Sequence, residues 1–195
     1  MDLIPMFVTP LGVQIFEDLD NDSIIESCKK HLIYGDQGGH SLRNSLDLDS
    51  YPFKSLVDRV VESANRFHKQ CGFKYSLKIG SSWCNYSNHY DICKPHTHVN
   101  CHLIGVYYPQ DSDVKLVFSN PIGCIENIIS PDIVETYNEI NQPEQWIYPR
   151  KGMLIIHPSW ISHYVINKQS ERYSVAFDLI IDYEPNKNSN INWRT

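Results

Sequence analysis

After Gly72 the hydrophobic period of this chain changes from that of a helix to that of strands. Phe53, Leu56, Val57, Val60, Val61, Ala64 and Phe67 recur on one helical face, and Gly72 closes the run. Beyond it Phe73–Tyr86 alternates, and short β-rich runs follow at Cys101–Tyr108, Val114–Phe118, Trp146–Tyr148, Met153–Ile156, Ser162–Ile166 and Tyr173–Asp182. Parallel strands need a crossover of about a dozen residues or more, usually a helix. These runs lack such connections, so a parallel sheet is excluded. The pattern predicts a mainly β fold, two sheets of antiparallel strands backed by two N-terminal helices.

The other boundaries follow from turn and cap residues. Residues 1–16 are predicted as a short strand pair turning at Pro10-Leu11-Gly12, and Asp20 or Asn21 caps a helix to about Leu32. The stretch 35–50 (GDQGGHSLRNSLDLDS) is predicted as loop, with Ser50 or Tyr51 opening the second helix. Residues 119–145 are irregular, with a short helix at 133–140, long enough for a lid or substrate platform. One domain is expected over 1–195: helical support about 17–72, β core about 73–182, polar tail 183–195. A net charge of −6 argues against a broad nucleic-acid-binding face. No run approaches the ~18 apolar residues of a membrane span. Asp2, Pro5 and Pro10 make the start a poor export signal, and the six Cys form no C-x-x-C pair. A cytoplasmic location with reduced thiols is expected.

Chemistry concentrates at CKPHTHVNCHLIGVYY, residues 93–108. His96 and His98 stand two apart, and on a strand such residues share a face. Neutral imidazole is the commonest metal ligand near pH 7. A lone histidine reads more readily as a surface or core-edge residue, and the pair by itself reads equally well either way. Downstream, His163 begins one predicted strand and Arg172, nine residues on, begins the next. A hairpin through 167–170 would set them on neighbouring strands. The guanidinium is a planar fork matched to a carboxylate, so a keto acid could chelate the metal and reach the arginine. Alternation along Tyr107-Tyr108 turns one phenol inward, where it could hydrogen-bond the same carboxylate.

The motifs Trp83-Cys84-Asn85, His96-Thr97-His98-Val99-Asn100, Gly105-Val106-Tyr107-Tyr108 and Gly152-Met153-Leu154 through Pro158-Ser159-Trp160 to His163 run in that order, followed by Arg172. Over roughly 80–180 this resembles the 2-oxoglutarate/Fe(II)-dependent oxygenases, and within them the small group related to prolyl hydroxylases. The resemblance implies a double-stranded β-helix (jelly roll) with Fe(II) in the barrel mouth. It implies His96 and His163 as iron ligands, Arg172 as the 2-oxoglutarate anchor and Tyr108 as its partner. It also implies decarboxylation of 2-oxoglutarate to succinate and CO₂ with O₂, coupled to hydroxylation of a substrate, a protein side chain such as prolyl being favoured.

One departure from the usual two-His, one-carboxylate triad stands out. Position 98, where an H-x-D pattern puts Asp, is His, and no carboxylate lies between Asp91 and Asp111. Either His98 is the third ligand or only two protein ligands bind and water completes the shell; His98 is the reading preferred, with His102 as runner-up. Three neutral imidazoles leave the metal formally at +2, where a carboxylate lowers it to +1. Asn100 is placed at the cofactors beside Arg172 and Tyr108, where it could fix the tautomer of a ligand imidazole. Trp83 and Asn85 are read as a second ring around the metal or a substrate wall. His157, Trp146 and Trp160 are read as packing or surface. Three alternatives stay open: a cupin-like metal site without 2-oxoglutarate, a zinc module of Cys93, His96, His98, Cys101 and His102, and a catalytically inactive binding module.

Overall fold

Asp20 starts the first helix. Its carboxylate accepts the Ser23 amide at 3.1 Å, satisfying a donor that the first turn of α1 (Asn21–His31) leaves free. Lys29, Lys30 and His31 then stand at the negative end of its dipole. The longer α2 (Phe53–Gln70) buries Phe53, Leu56, Val60 and Ala64 completely or nearly so. Each large apolar side chain buried this way contributes about 1.5–3 kcal/mol, so packing holds α2 in place more than helix propensity does. The computed structural model describes residues 2, 7–35, 38–88, 91–122, 131–138, 140–167 and 170–183.

The strands are β1 (Gly12–Ile15), β2 (Leu32–Gly35), β3 (Gly38–Ser41), β4 (Leu77–Ser87), β5 (Ile92–His96), β6 (Leu103–Tyr108), β7 (Leu116–Ser119), β8 (Glu144–Ile147), β9 (Met153–Pro158), β10 (His163–Ile166) and β11 (Arg172–Ile181). They form two antiparallel sheets, one ordered β1-β9-β6-β11-β4-β3-β2 and one β5-β10-β7-β8. The last eight strands pair as a nest: β4 with β11, β5 with β10, β6 with β9, β7 with β8. This is one long hairpin folded over so that its strands alternate between the sheets.

Side-chain alternation divides the core in two. Leu103 and Tyr107 of β6, Leu154 and Ile156 of β9, and Tyr173, Val175, Phe177 and Leu179 of β11 pack with the helices. Ile104, Val106, Tyr108, Met153 and Ile155 pack between the sheets. On β11 the even-numbered residues Arg172, Ser174 and Ala176 line a cavity between the sheets. On β4 a register shift opposite Asp178/Leu179 leaves Gly80 unpaired. Leu77 and Ile79 face the helices before it, and Ser81, Trp83 and Asn85 face away from them after it. A bulge thus turns the Trp83 edge of β4 toward the cavity.

Two boundary expectations are corrected, and a third falls partly outside the described chain. Residues 12–15 pair with β9, where Ile155 and Ile156 offer a central strand to add to; residues 1 and 3–6, on which the expected partner strand mostly falls, are not among those described. The expected loop 35–50 contains β3, which pairs with β2 and β4. Its glycines concealed it, and Gly38 sits at φ 90 where a Cβ would meet Tyr86 O at 2.4 Å. The expected helix 133–140 is a single 3₁₀ turn at Pro131–Ile133; 123–130 and 139 fall outside the described residues, as does most of the tail. Among the described residues no helix is long and apolar enough to cross a membrane.

Gly152 carries a fold prediction. It has φ 78, and a Cβ would lie 2.3 Å from Phe16 O. Its own N–H and C=O are held by Tyr108 O at 2.9 Å and Phe16 N at 2.8 Å, so the backbone has no room to move. Gly152→Ala is expected to cost about 1–3 kcal/mol, lowering the melting temperature by roughly 2–12 °C in a thermal melt followed by circular dichroism.

Candidate metal centre

His96 and His163 are cross-strand partners on β5 and β10, with ring centroids 4.4 Å apart. His98 reaches the same place by another route. β5 ends at His96, so the shared-face argument does not apply. Instead, the His98 amide donates to Ser159 O at 2.9 Å and the chain turns through Asn100 at φ 62. The imidazole of His98 lies parallel to that of His163, 5.2 Å away at 4°. One ligand atom from each of His96, His98 and His163 falls within 4.8 Å of the others. Donors about 2.1 Å from a shared ion are at most about 4.2 Å apart, so small side-chain rotations close the set.

The hydrogen bonds decide which nitrogen each ring presents. Nδ1–H of His96 donates to Lys94 O at 2.8 Å, and that of His163 to Ile161 O at 3.2 Å. That of His98 donates to Asp178 Oδ1 at 3.2 Å. Every acceptor is a carbonyl or carboxylate oxygen, so each Nδ1 carries a proton, and in the neutral ring that tautomer leaves the lone pair on Nε2. Nε2 of His98 is buried with no hydrogen-bond partner. Burial pushes the basicity of His163 down to about 2, with neighbouring His157, His96 and His98 adding to the effect. A neutral, metal-ready imidazole results at any ordinary pH. His96 moves the other way, raised chiefly by Cys93, whose Sγ is 3.8 Å from its Nδ1.

The three histidines and Arg172 line one cavity of about 280 Å³. Arg172 is 6% exposed. Its Nη2 donates to Tyr108 OH at 3.1 Å, its Cζ stands 4.9 Å from the Tyr108 ring, and its Nε is buried without a partner. Among the described residues no Asp or Glu forms an ion pair with it. Asp91, the acid in the cavity wall, receives the Asn88 amide instead. An unpaired buried charge costs several kcal/mol, a cost that an anion seated in this cavity would offset. Burial raises the Tyr108 phenol above its ordinary value against the opposing effect of Arg172, keeping it a neutral donor.

The expected hairpin between His163 and Arg172 is corrected. β10 and β11 belong to different sheets, so the two side chains meet across the cavity and not along one sheet. Asn100 is exposed and lines a neighbouring outer cleft of about 760 Å³, with Arg43, Trp83 and His98; it is not brought to the cavity of Arg172 and Tyr108. His102 packs on His68 and Phe73, at 4.8 and 5.0 Å. Trp83 stacks on His98 at 5.7 Å.

One group, Asp178, was missed from sequence, and His157 packs in the interior as the packing reading had it. His157 is fully buried, 4.6 Å from His163, and burial pushes it down to about 4. It stands on β9 immediately before Pro158, where the strand ends.

A donor set of three imidazoles facing a buried, anion-seeking guanidinium suits a mononuclear metal centre with a carboxylate-bearing ligand beside it. Comparison with known proteins specifies the class. Residues 81–178 match the family described as "Putative 2OG-Fe(II) oxygenase", and the chain belongs to that family of Fe(II)- and 2-oxoglutarate-using oxygenases. No curated protein matches in sequence. Among solved structures, a 2OG-Fe(II) oxygenase-family oxidoreductase from Burkholderia pseudomallei is 13% identical with a TM-score of 0.58, over 87% of this chain and 84% of that one. A Pseudomonas putida prolyl-4-hydroxylase is 12% identical with a TM-score of 0.57, over 87% and 92%. HygX of Streptomyces hygroscopicus, solved with nickel and 2-oxoglutarate, is 9% identical with a TM-score of 0.58, over 90% and 84%. At such identities the likeness is one of fold. The chemistry of the site fits the family's cofactors: Fe(II) accepts imidazole nitrogen, and 2-oxoglutarate carries the carboxylates that a buried arginine lacks.

Proposed function

We propose that the protein is a dioxygenase that couples oxidative decarboxylation of 2-oxoglutarate to succinate and CO₂ with hydroxylation of a second molecule, a protein side chain such as prolyl being favoured. In this reading His96, His98 and His163 hold Fe(II) through Nε2. Arg172 takes the far carboxylate of 2-oxoglutarate and Tyr108 OH donates to it. Bound iron and 2-oxoglutarate supply the O₂ chemistry; the chain supplies ligation, orientation and a seat screened from water. The observation that carries the reading is Arg172, a buried guanidinium with an unpartnered Nε and, among the described residues, no acid partner, in the same cavity as the imidazoles of His96, His98 and His163.

The nested pairing of β4 to β11 supports naming the fold a double-stranded β-helix, and the reading takes 1–195 as one domain. The free thiols of Cys28, Cys71, Cys84, Cys93 and Cys101 support a reducing, cytoplasmic setting. The three-imidazole donor set favours a second reading, a cupin-like metal site that works without 2-oxoglutarate or only binds. Anaerobic titration separates the two. Fe(II) followed by 2-oxoglutarate is expected to raise a visible metal-to-ligand charge-transfer band, and O₂ then to release succinate. Iron binding with neither band nor succinate would overturn the proposal in favour of the second reading.

A further inference from the structure

Asp178 sits on β11 with its carboxylate divided between two duties. Oδ1 accepts Nδ1–H of His98 at 3.2 Å, with Cys101 Sγ at 3.7 Å. Oδ2 is held by Ser81 Oγ at 2.5 Å and by the guanidinium of Arg43. The holders are themselves fixed. Arg43 donates to Ser81 Oγ at 2.8 Å and lies over Trp83 at 4.0 Å. Asn44, at φ 59, ties the neighbouring backbone to β4 through Ser82 at 2.8 and 3.0 Å. The side chains of His98 and Asp178 are only 7% and 10% exposed, so water does not compete for the bond.

Resting on the reading of the three histidines as a metal centre, we propose that Asp178 is a positioning residue for His98. It keeps the proton on Nδ1, aims Nε2 at the metal, and supplies from behind the imidazole the negative charge that His98 itself, standing where a carboxylate is usual, does not carry. A carboxylate behind a ligand imidazole raises its basicity and fixes its ring. Three features converge here: the buried Nε2 without a partner, the Trp83 stack that sets the ring plane, and the bulge at Gly80 that brings Ser81 opposite Asp178.

The test uses the full chain with Co(II) as the probe. Losing such a partner typically costs 10–100-fold in metal affinity, so Asp178→Ala is expected to weaken Co(II) binding by that much. Asp178→Asn, which keeps an acceptor oxygen but not the charge, should fall by about tenfold. The specific readout is the ¹⁵N spectrum of the His98 ring without metal: proton on Nδ1 in the natural protein, lost from that site in Asp178→Ala. A merely structural role would leave that tautomer unmoved. If Asp178→Ala does not fold, the Asn variant and the wild-type tautomer decide. A wild type that binds Co(II) while His98 carries its proton on Nε2 overturns the role of Asp178, and so does a folded Asp178→Ala of unchanged affinity. A wild type that binds no Co(II) overturns the metal reading underneath it.

Discussion

His163→Ala is expected to abolish tight metal binding, with Fe(II) or Co(II) affinity falling by well over 100-fold. Loss of a group merely hydrogen-bonded to a ligand costs 10–100-fold, and His163 is the donor itself. It is also the donor least able to be replaced by its neighbours. It is 5% exposed and pairs with His96 on one side and Phe118 on the other, so its ring cannot be mimicked by a mobile side chain or easily by water. The measurement is a thermal melt with and without Co(II). At a hundred times the dissociation constant a ligand stabilises by about 2.7 kcal/mol, which for a chain of this size is a rise of roughly 5–10 °C. The wild type should show that rise and His163→Ala none. His102→Ala is the control: its ring packs on His68 and Phe73, and the metal-induced rise should persist. Equal rises in wild type and His163→Ala would remove His163 from the centre.

Much of this site was legible because a few residue types admit few jobs. The alternation rule told that Tyr107 and Tyr108 part to opposite faces but not which goes where: Tyr107 packs on the helix side with its hydroxyl 2.5 Å from Asn21 Oδ1, while Tyr108, the one singled out by the resemblance, lies between the sheets under Arg172. The convergence of His96, His98 and His163 was also legible, though for a reason that half failed. Strand periodicity placed His96 and His98 together, whereas His98 lies past the end of β5 and is brought back by its bond to Ser159. Periodicity sees neighbours along the chain and not a turn stabilised by a residue sixty positions away. Asp178 was unreadable for the same reason. It stands inside a ten-residue strand of otherwise core-like residues. Its function exists only because the register sets it against Ser81 and because the loop after β3 brings Arg43 across. The hairpin β2–β3 escaped notice since Gly, Ser and His dominate β3, and those residues signal loop when their pairing partners are unknown.

Arg172→Ala is expected to weaken 2-oxoglutarate binding by about 30- to several thousand-fold, since deleting one partner of a buried, hydrogen-bonded charge pair costs about 2–5 kcal/mol. Metal affinity should stay within about twofold, because Arg172 bonds Tyr108 and no histidine. Arg172→Lys keeps the charge but loses the planar fork, so its affinity should fall between the two. Tyr108→Phe, which removes one neutral hydrogen bond worth about 1 kcal/mol, should cost roughly fivefold. Calorimetric titration of 2-oxoglutarate into the Ni(II)-loaded protein measures the three variants against the wild type without turnover, and titration of Ni(II) into the metal-free protein checks the metal affinity. Stability supplies the discriminating control. An arginine in a structural ion pair would leave a buried acid unpaired on removal, at about 3–5 kcal/mol. Among the described residues Arg172 has no such acid, and its burial is itself a desolvation cost. Arg172→Ala without ligand should therefore melt close to the wild type while losing the extra stability that 2-oxoglutarate confers. A variant that melts far lower, or that binds 2-oxoglutarate as the wild type does, would show the guanidinium to be part of the scaffold and not the seat of the co-substrate.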